Sequence, residues 1–217
     1  MKYYLENLRR IIGQGMPRYA MEDDNATPRL FIHIPKTAGT SFRSAAEAFF
    51  GYSGVLRDYG PESEDTSPSV KKHVYAGEDP SALVDALAEQ RAYLVSGHFP
   101  LTKYRNVFCL SDTATLIRNP VDQVVSHFRH MVRHYGHQGT LMEFARQRKY
   151  QNVQSQFVGM LDPALIGLVG VTEAYRPFLN MLNKQWRWNL SHRRRNVGDW
   201  FGLGRIRLPR QDRLEIE

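Results

Sequence analysis

Apolar residues along the chain fall into short runs that alternate with stretches of helical spacing. The strongest run, Arg29 to Ile34, ends at Pro35, and helical spacing follows from Ser41 to Phe50. The same patterns predict strands at 92–96, 113–117 and 165–171, and helices at 80–90, 120–134, 140–148, 151–159 and 173–183. Strands that alternate with helices predict an α/β fold, in which helices cover both faces of a parallel sheet.

The length and composition predict one main domain. A chain of 217 residues, 42% of them hydrophobic, is long enough for one substantial core and too short for two. Apolar residues at helical spacing in residues 1–12 predict a peripheral helix and lead-in over 1–28, followed by a single domain over 29–217. The polar, proline-flanked stretch 61–69 predicts a loop.

The N-terminus lacks the apolar core of a secretory signal, and no apolar run approaches the roughly 18 to 20 residues that cross a bilayer. We therefore expect a cytoplasmic protein without a transmembrane segment, and peripheral contact with a membrane stays open. Cys109 is the single cysteine, so the chain forms no internal disulfide and no cysteine metal cluster. We expect it to be a buried, inert thiol.

The 29 Lys and Arg residues exceed the 22 Asp and Glu residues by seven, which indicates an anionic partner. Nucleic acid, a polyanionic cofactor and an acidic polysaccharide would each fit this excess. The basic residues form separate clusters at 129–133, 146–149 and 193–195 and no single tail. The positions of individual Lys and Arg residues must therefore decide between these partners.

The loop between the first strand and its helix has the composition of a phosphate-binding loop. Backbone N–H groups and the helix dipole favour an anion there, Gly39 lets the backbone come close to it, and Lys36 adds a positive charge. Hydroxyl donors are available at three positions: Thr37, Thr40 and Ser41. The lysine precedes the glycine, unlike in a Walker A loop, and no hydroxyl follows a Gly-Lys pair to hold Mg²⁺. This order weakens the case for a nucleotide-hydrolysing enzyme.

The segment Phe31 to Phe42, FIHIPKTAGTSF, resembles the 5′-phosphosulfate loop of carbohydrate sulfotransferases related to the heparan sulfate 2-O- and 6-O-sulfotransferases. The resemblance implies that the donor is 3′-phosphoadenosine 5′-phosphosulfate (PAPS) and that Lys36 stabilises the sulfuryl group as it is transferred. It further implies that the loop binds the cofactor through Lys36, Thr37, Ala38, Gly39, Thr40 and Ser41.

A second segment, residues 115–130, resembles the 3′-phosphate motif of the same family. Arg118 ends a predicted strand and Ser126 lies about two helical turns further along, so both residues are able to address one phosphate. The resemblance implies that they bind the 3′-phosphate of PAPS, and the family often has a further arginine where this chain has Gln123. A 3′-phosphorylated adenosine nucleotide requires both sites, whereas an ordinary nucleotide needs only the first.

The basic run 192–198 offers a third contact with the cofactor. In many sulfotransferases a basic loop closes over the 3′-phosphate, which makes Arg194 and Arg195 candidate ligands. A solvated basic loop is the alternative.

Transfer to a hydroxyl needs a base, and imidazole, with a pKa of about 6.5, suits neutral pH. His98 directly follows a predicted strand, which places it on the same sheet edge as the phosphate sites, and its Gly-His pair resembles the position of the catalytic histidine in 2-O-sulfotransferases. We expect His98 to be the general base and His33 to be a packed, hydrogen-bonded core group. His130 and His134 are four residues apart but lack a third ligand, so we expect no metal site.

Segments 151–159 and 169–175 also resemble blocks of the family, so that the resemblance covers residues 29–185. Thr172 and Glu173 are expected to start a helix. Candidates for contact with cofactor or acceptor, with helix capping as the alternative, are Asn152, Gln154 and Ser155. Aromatic residues expected in the core, with stacking on adenine or a sugar as the alternative, are Trp186, Trp188 and Trp200.

The sequence thus predicts a sulfotransferase fold, a P-loop-like parallel β-sheet flanked by helices, and transfer of a sulfuryl group from PAPS to a hydroxyl of a carbohydrate or small molecule. A kinase-like phosphoryl-transfer enzyme is one alternative, although convincing metal carboxylates are missing. A basic nucleic-acid-binding protein is the other, but no aromatic-basic recognition motif occurs, and we expect no nucleic-acid partner. Variable segments at 52–79 and after 185 are expected to form the acceptor pocket, and they identify neither the acceptor nor the oligomeric state.

Overall fold

A five-stranded sheet in which all strands are parallel forms the centre of the protein. The computed structural model describes residues 27–159 and 162–193. The strands are β1 (Arg29–Ile32), β2 (Val55–Asp58), β3 (Leu94–Gly97), β4 (Thr113–Ile117) and β5 (Leu168–Val171), in the order β2-β3-β1-β4-β5. The predicted α/β fold with a parallel sheet is therefore confirmed.

Helices connect the strands and flank the sheet. They are α1 (Gly39–Phe50), α2 (Pro68–Val70), α3 (Leu83–Gln90), α4 (Pro120–Tyr135), α5 (Leu141–Ala145), α6 (Val153–Val158) and α7 (Tyr175–Trp186). Helix α2 continues as a π-helical segment, Lys71–Tyr75. Short 3₁₀ turns occupy Pro80–Ala82, Leu101–Tyr104, Leu110–Asp112, Arg148–Tyr150, Pro163–Leu165 and Thr172–Ala174.

Alternate residues of β1 point to opposite faces of the sheet, and each face has its own core. Leu30 and Ile32 pack in one cluster together with Leu87 of α3. Phe31 points the other way and stacks on Phe42 of α1, with their ring centroids 3.9 Å apart. Apolar contacts on both faces of the central strand explain why its sequence is continuously hydrophobic.

Several expectations about single side chains and segments are settled by this core. Trp186 and Trp188 are buried, as predicted for core aromatics. Cys109 is half-buried and not buried as expected, although burial raises the pKa of its thiol. The helix predicted over 1–12 and Trp200 lie outside the described residues. Among the helices of the described ranges, none combines the length and apolar character needed to cross a bilayer.

Strand β2 corrects the expectation that residues 52–79 form only variable loops. Its last two residues, Arg57 and Asp58, are charged yet buried, so the segment lacks the apolar run or alternation that marks a strand. The Asp58 carboxylate accepts hydrogen bonds from Tyr75 Oη at 2.6 Å, Lys103 Nζ at 2.7 Å and Tyr104 Oη at 2.5 Å. These donors, all distant in sequence, make the buried charge tolerable.

The strand order changes direction between β1 and β4. The chain builds β2 and β3 on one side of β1, and then β4 and β5 on the other. A crevice opens at such a point outside the carboxyl ends of the strands. Since Ile32 of β1 is paired with both Gly97 of β3 and Thr115 of β4, the segments that follow these three strands lie at the same edge.

Gly97 provides a test of this strand packing. A Cβ atom there would come within 1.8 Å of the carbonyl oxygen of Asp58 in the neighbouring strand. We expect Gly97→Ala to lower the free energy of unfolding by about 1–3 kcal/mol or more, because the backbone cannot move aside cheaply. Gly77→Ala is the matched control, since its nearest neighbour would be the His73 carbonyl oxygen at 3.6 Å. Equal stability of the two variants in chemical denaturation would contradict the packing of β2 on β3.

Candidate functional site

An open cleft of about 1510 Å³ lies at the carboxyl edge of the sheet. Helix α4 contributes one wall, and the turn Thr172–Ala174 with the start of α7 contributes another. Five basic side chains and two carboxylates line the cleft. The basic residues are Lys36, Arg118, Arg129, Arg133 and Arg176, and the acidic residues are Asp122 and Glu173. This excess of positive charge favours an anionic ligand.

The loop between β1 and α1 forms the floor of the cleft. Lys36 and Ala38 both adopt left-handed backbone conformations, each with φ of 68°. Such residues cost about 1–3 kcal/mol each and are concentrated at functional sites. Left-handed residues within a turn also direct backbone N–H groups towards one side, where they make a concave anion site.

The N-terminus of α1 is open. No side chain caps this helix, and its first turn contains no acidic residue. The N–H groups of a first helical turn have no acceptor within the helix, and the dipole makes this end positive. The Ser41 N–H donates to the Ala38 carbonyl at 3.0 Å, whereas Gly39 and Thr40 line the cleft, and an anion bound there would be the acceptor for their N–H groups.

The structure places the Thr37 hydroxyl away from the position expected for a phosphate ligand. Thr37 is buried, and its Oγ1 donates a hydrogen bond to the carbonyl oxygen of Ile34 at 2.9 Å. The side chain therefore supports the loop from beneath. Thr37 does not line the cleft, so the prediction that it binds the cofactor is not supported by its position.

Arg118 follows β4 and reaches the Lys36 loop directly. Its Nη1 donates a hydrogen bond to the carbonyl oxygen of Lys36 at 3.2 Å. Its Nε lies 3.7 Å from Glu173 Oε1, and this buried nitrogen has no hydrogen-bond partner among the described residues. The two anion-binding segments predicted from the sequence are thus neighbours on one edge of the sheet.

Gln154 of α6 holds the peptide groups of Arg118 in place. Its Oε1 accepts a hydrogen bond from the Arg118 N–H at 2.8 Å, and its Nε2 donates to the Arg118 carbonyl at 2.9 Å. The sequence identified Gln154 as a candidate ligand of cofactor or acceptor. Both ends of its amide are instead used to position Arg118.

Helix α4 differs from α1 at its N-terminus, although the sequence suggests a common architecture. Asn119 caps α4 by accepting a hydrogen bond from the Asp122 N–H at 3.2 Å. The predicted second anion site would therefore depend on the Arg118 guanidinium and the half-buried Ser126, which both line the cleft. Gln123 is buried and donates to the Pro35 carbonyl at 3.1 Å, so it braces the loop.

The remaining expected residues lie at the margins of the cleft or outside the described ranges. Thr172 donates through its hydroxyl to the Ile117 carbonyl at 3.0 Å and does not cap a helix, while the turn that it begins leads into α7. Asn152, which precedes α6, and Ser155 within that helix are exposed and do not line the cleft, and the Asn152 side chain makes no cap hydrogen bond. His192 lines the cleft, whereas Arg194 and Arg195 lie outside the described residues.

His98 follows β3 and faces the cleft. Its backbone N–H donates to the Asp58 carbonyl at 2.9 Å, and its side chain is exposed towards the cleft although the walls surround it on the other sides. Burial by these walls, then the positive charge of Arg43 and the nearby His127, lower its pKa to about 4. At neutral pH the imidazole is therefore uncharged and able to accept a proton.

His33 is buried and hydrogen-bonded, as expected, because its Nδ1 lies 2.8 Å from Tyr59 Oη. It also lines the cleft. The rings of His130 and His134 lie 4.6 Å apart. Within residues 27–159 and 162–193, no group of three or more His, Cys, Asp or Glu residues is arranged to hold a metal ion.

Two cleft residues and one neighbour of His98 have no individual role in the sequence interpretation. His127 follows Ser126 directly, so the same motif points to it, and burial and Lys36 lower its pKa to about 4. Tyr175 lines the cleft with a buried hydroxyl that has no hydrogen-bond partner in the described part of the chain. Tyr59 contacts His98 with ring centroids 4.7 Å apart. No sequence signal separates these two tyrosines from ordinary core residues.

Comparisons of the chain with protein-family models, with curated proteins and with solved structures found no match. What the protein does is therefore inferred from its residues and from the geometry of this cleft.

The crowding of cations in the cleft leads to a prediction for Lys36. Burial, then Arg118 and Arg133, lower its pKa, so that at neutral pH its charged form is less favourable in the folded chain than in the unfolded chain. We expect Lys36→Met to stabilise the anion-free protein, by less than about 1 kcal/mol because the charges are partly solvated. Millimolar inorganic pyrophosphate should raise the melting temperature of the wild type and leave that of Lys36→Met nearly unchanged.

Lys184→Met is the matched control for this measurement, because Lys184 is exposed on α7 and lies outside the cleft. It should retain the response to pyrophosphate. An equal response of Lys36→Met and the wild type would mean that the anion binds elsewhere.

Proposed function

We propose that the protein is a PAPS-dependent sulfotransferase that transfers a sulfuryl group to a hydroxyl of a carbohydrate-type acceptor. The observation that carries this proposal is the 3.2 Å contact between Arg118 Nη1 and the Lys36 carbonyl. It brings a guanidinium and an open helix N-terminus within reach of one nucleotide. A donor with a 3′-phosphate and a 5′-phosphosulfate would use both sites, whereas an ordinary nucleotide would use one.

The cleft residues match the two charged ends of such a donor. The N–H groups at the start of α1 would hold the 5′-phosphate, and Lys36 would interact with the bridging oxygen and the sulfuryl group. Arg118 and Ser126 would bind the 3′-phosphate. The buried Nε of Arg118, which has no hydrogen-bond partner among the described residues, is a donor that this phosphate would satisfy.

The reaction uses His98 as the base. The neutral imidazole takes the proton of the acceptor hydroxyl while that oxygen attacks sulfur, and the bond between sulfur and the 5′-phosphate oxygen breaks. The products are a sulfate ester and adenosine 3′,5′-bisphosphate, with the proton on His98. Lys36 and the loop N–H groups stabilise the negative charge that develops on the leaving phosphate.

The space around His98 supports a second substrate in the cleft. Its volume of about 1510 Å³ exceeds the roughly 300–1,000 Å³ that is common for single-ligand pockets. Tyr59, from the segment between β2 and α2, lies against His98. Contrary to the expectation for this segment, no residue of 52–79 lines the cleft, so Tyr59 would act on the acceptor only through His98. The assignment of the acceptor as a carbohydrate rests on the resemblance to carbohydrate sulfotransferases. The resemblance to carbohydrate sulfotransferases also bears on the fold. Together with the strand order β2-β3-β1-β4-β5, it leads us to propose that the sheet is a P-loop-like sheet of the sulfotransferase type.

Nucleotide binding tests the donor. Adenosine 3′,5′-bisphosphate should bind without added metal, and AMP should bind much more weakly because it lacks the 3′-phosphate that would contact the Arg118 guanidinium. We expect Arg118→Ala to weaken bisphosphate binding by about 10- to 100-fold, since it removes a charged hydrogen-bond donor, and to change AMP binding little. Isothermal titration calorimetry measures both affinities.

Arg105→Ala serves as the control variant, because Arg105 is exposed and outside the cleft. Equal losses for both nucleotides in Arg118→Ala would contradict the assignment of the 3′-phosphate. Tight binding of ATP only with Mg²⁺ would favour the kinase-like alternative. A steep salt dependence of DNA or RNA binding would favour the nucleic-acid alternative.

The role of His98 is tested by transfer from radiolabelled PAPS to a panel of glycans and small alcohols. His98→Ala should lower kcat by about 100- to 10,000-fold and leave the bisphosphate affinity unchanged, because it removes only a positioned base. His73→Ala, outside the cleft, should have no effect. Absence of transfer to every acceptor, together with absence of bisphosphate binding, would contradict the proposed function.

The pH dependence of kcat/KM follows from the environment of His98. Its pKa is lowered from 6.5 to about 4 by burial and then by Arg43. Activity is lost as the pH falls through this lowered pKa, because protonation removes the base. The acidic limb of the profile should therefore lie below pH 6.5, and it should disappear in His98→Ala. A limb at or above pH 6.5 would contradict the assignment of this residue.

A further inference from the structure

The residues that follow β2, β3 and β1 form one cluster of rings at the edge of the sheet. Asp58 is paired with Gly97, and Gly97 with Ile32, so the next residues in register are Tyr59, His98 and His33. The rings of these residues form a triangle, in which the centroids of His33 and Tyr59 lie 5.7 Å apart, and the strand that precedes His98 is the middle one of the three. The ring centroid of His98 lies 4.7 Å from that of Tyr59 and 4.5 Å from that of His33, with interplanar angles of 74° and 70°.

The two flanking residues are bonded to each other. Tyr59 Oη lies 2.8 Å from His33 Nδ1, and both side chains are largely removed from solvent. The His33 N–H donates to the Gly97 carbonyl at 3.0 Å, and the His98 N–H donates to the Asp58 carbonyl at 2.9 Å. Backbone and side chains therefore fix the cluster together.

His33 also contacts the anion loop. A Cβ atom on Gly39 would come 1.9 Å from Cδ2 of His33, so the imidazole fills the space that a side chain at position 39 would take. His33 is thus wedged between the start of α1 and the ring of His98. Its position is sensitive to both halves of the site.

Neither flanking group changes its charge near neutral pH. Burial, then His98, Arg43 and Lys36, hold the pKa of His33 well below its usual range. Burial raises the pKa of Tyr59 to about 12 although Arg43 opposes this. A neutral imidazole and a neutral phenol do not compete with His98 for a proton, and this suits them to orienting its ring.

We propose that His33 and Tyr59 are positioning residues that clamp the imidazole of His98 in one orientation towards the cleft. This inference rests on the proposed function, in which His98 is the general base. A base acts only when it is held within about 10–20° of its productive geometry, and a hydrogen-bonded pair of rings packed edge-on against the imidazole restricts its rotation. His33 and Tyr59 therefore act through His98.

A double-mutant cycle tests this claim. Tyr59→Phe keeps the ring and removes the hydroxyl, with its hydrogen bond to His33 and its interaction with Arg43. We expect kcat to fall on the order of tenfold, a part of the roughly 100- to 10,000-fold that a positioned base contributes. The bisphosphate affinity and the KM for PAPS should not change. In a His98→Ala background, Tyr59→Phe should cause no further loss, because its effect passes through the base.

A pair of substitutions at His33 gives a second measurement. His33→Asn keeps a polar group able to bond to Tyr59 Oη, whereas His33→Leu does not. We expect kcat to be higher for the Asn variant than for the Leu variant. Should His33→Leu fail to fold, the comparison of Tyr59→Phe in the two backgrounds still decides.

Histidine side-chain NMR decides the clamp without any transfer assay. In protein labelled with ¹⁵N-histidine, Tyr59→Phe should alter the tautomer signals and the titration of His98 and leave those of His73 unchanged. If the wild type neither binds the bisphosphate nor transfers sulfate, the proposed function fails, and the spectra still decide whether the pair holds His98.

Three results would overturn the clamp. The first is an unchanged kcat in Tyr59→Phe together with unchanged signals of His98. The second is an equal fall in kcat with and without the His98 side chain, which would indicate a purely structural role. The third is a weaker bisphosphate affinity at constant kcat, which would show that His33 acts through Gly39 and the anion loop.

Discussion

The backbone hydrogen bonds that join β1 to β3 on one side and to β4 on the other determine the site. This parallel pairing sets Ile32 level with Gly97 and with Thr115, so the segments that follow the three strands meet at one edge. Lys36, His98 and Arg118 come from those segments. A shift in register would separate them, because none of the three approaches the others along the chain.

The positively charged side chains of the site repel one another, and the surrounding structure holds them in place. Lys36 lies near Arg118 and Arg133, and the turn beneath it contains two left-handed residues. Buried hydrogen bonds oppose both costs: Thr37 fastens the loop to Ile34, and Gln123 of α4 fastens it to Pro35. Such a site lowers the free energy of unfolding, and the apolar cores on both faces of the sheet compensate for this loss.

Features encoded within a few consecutive residues could be predicted, and those created by distant contacts could not. The strand, loop and helix around Lys36 are contiguous, so their pattern predicted the fold class, which is confirmed, and a candidate anion loop, whose ligand stays a prediction. Strand β2 was not predicted, because the groups that make the buried charge of Asp58 tolerable belong to residues 75, 103 and 104, which are distant in the sequence. The inward hydroxyl of Thr37 and the contact of His33 with Tyr59 likewise depend on geometry that periodicity does not encode.

The two hydrogen bonds between Gln154 and the peptide groups of Arg118 have a consequence for the entropy of binding. The side-chain amide of Gln154 bonds to the Arg118 backbone in the way that a neighbouring strand would. The backbone at Arg118 is therefore ordered once the protein has folded. Ordering one residue of backbone costs about 1–2 kcal/mol. Binding of an anion to the guanidinium therefore restricts only the side-chain torsions of Arg118.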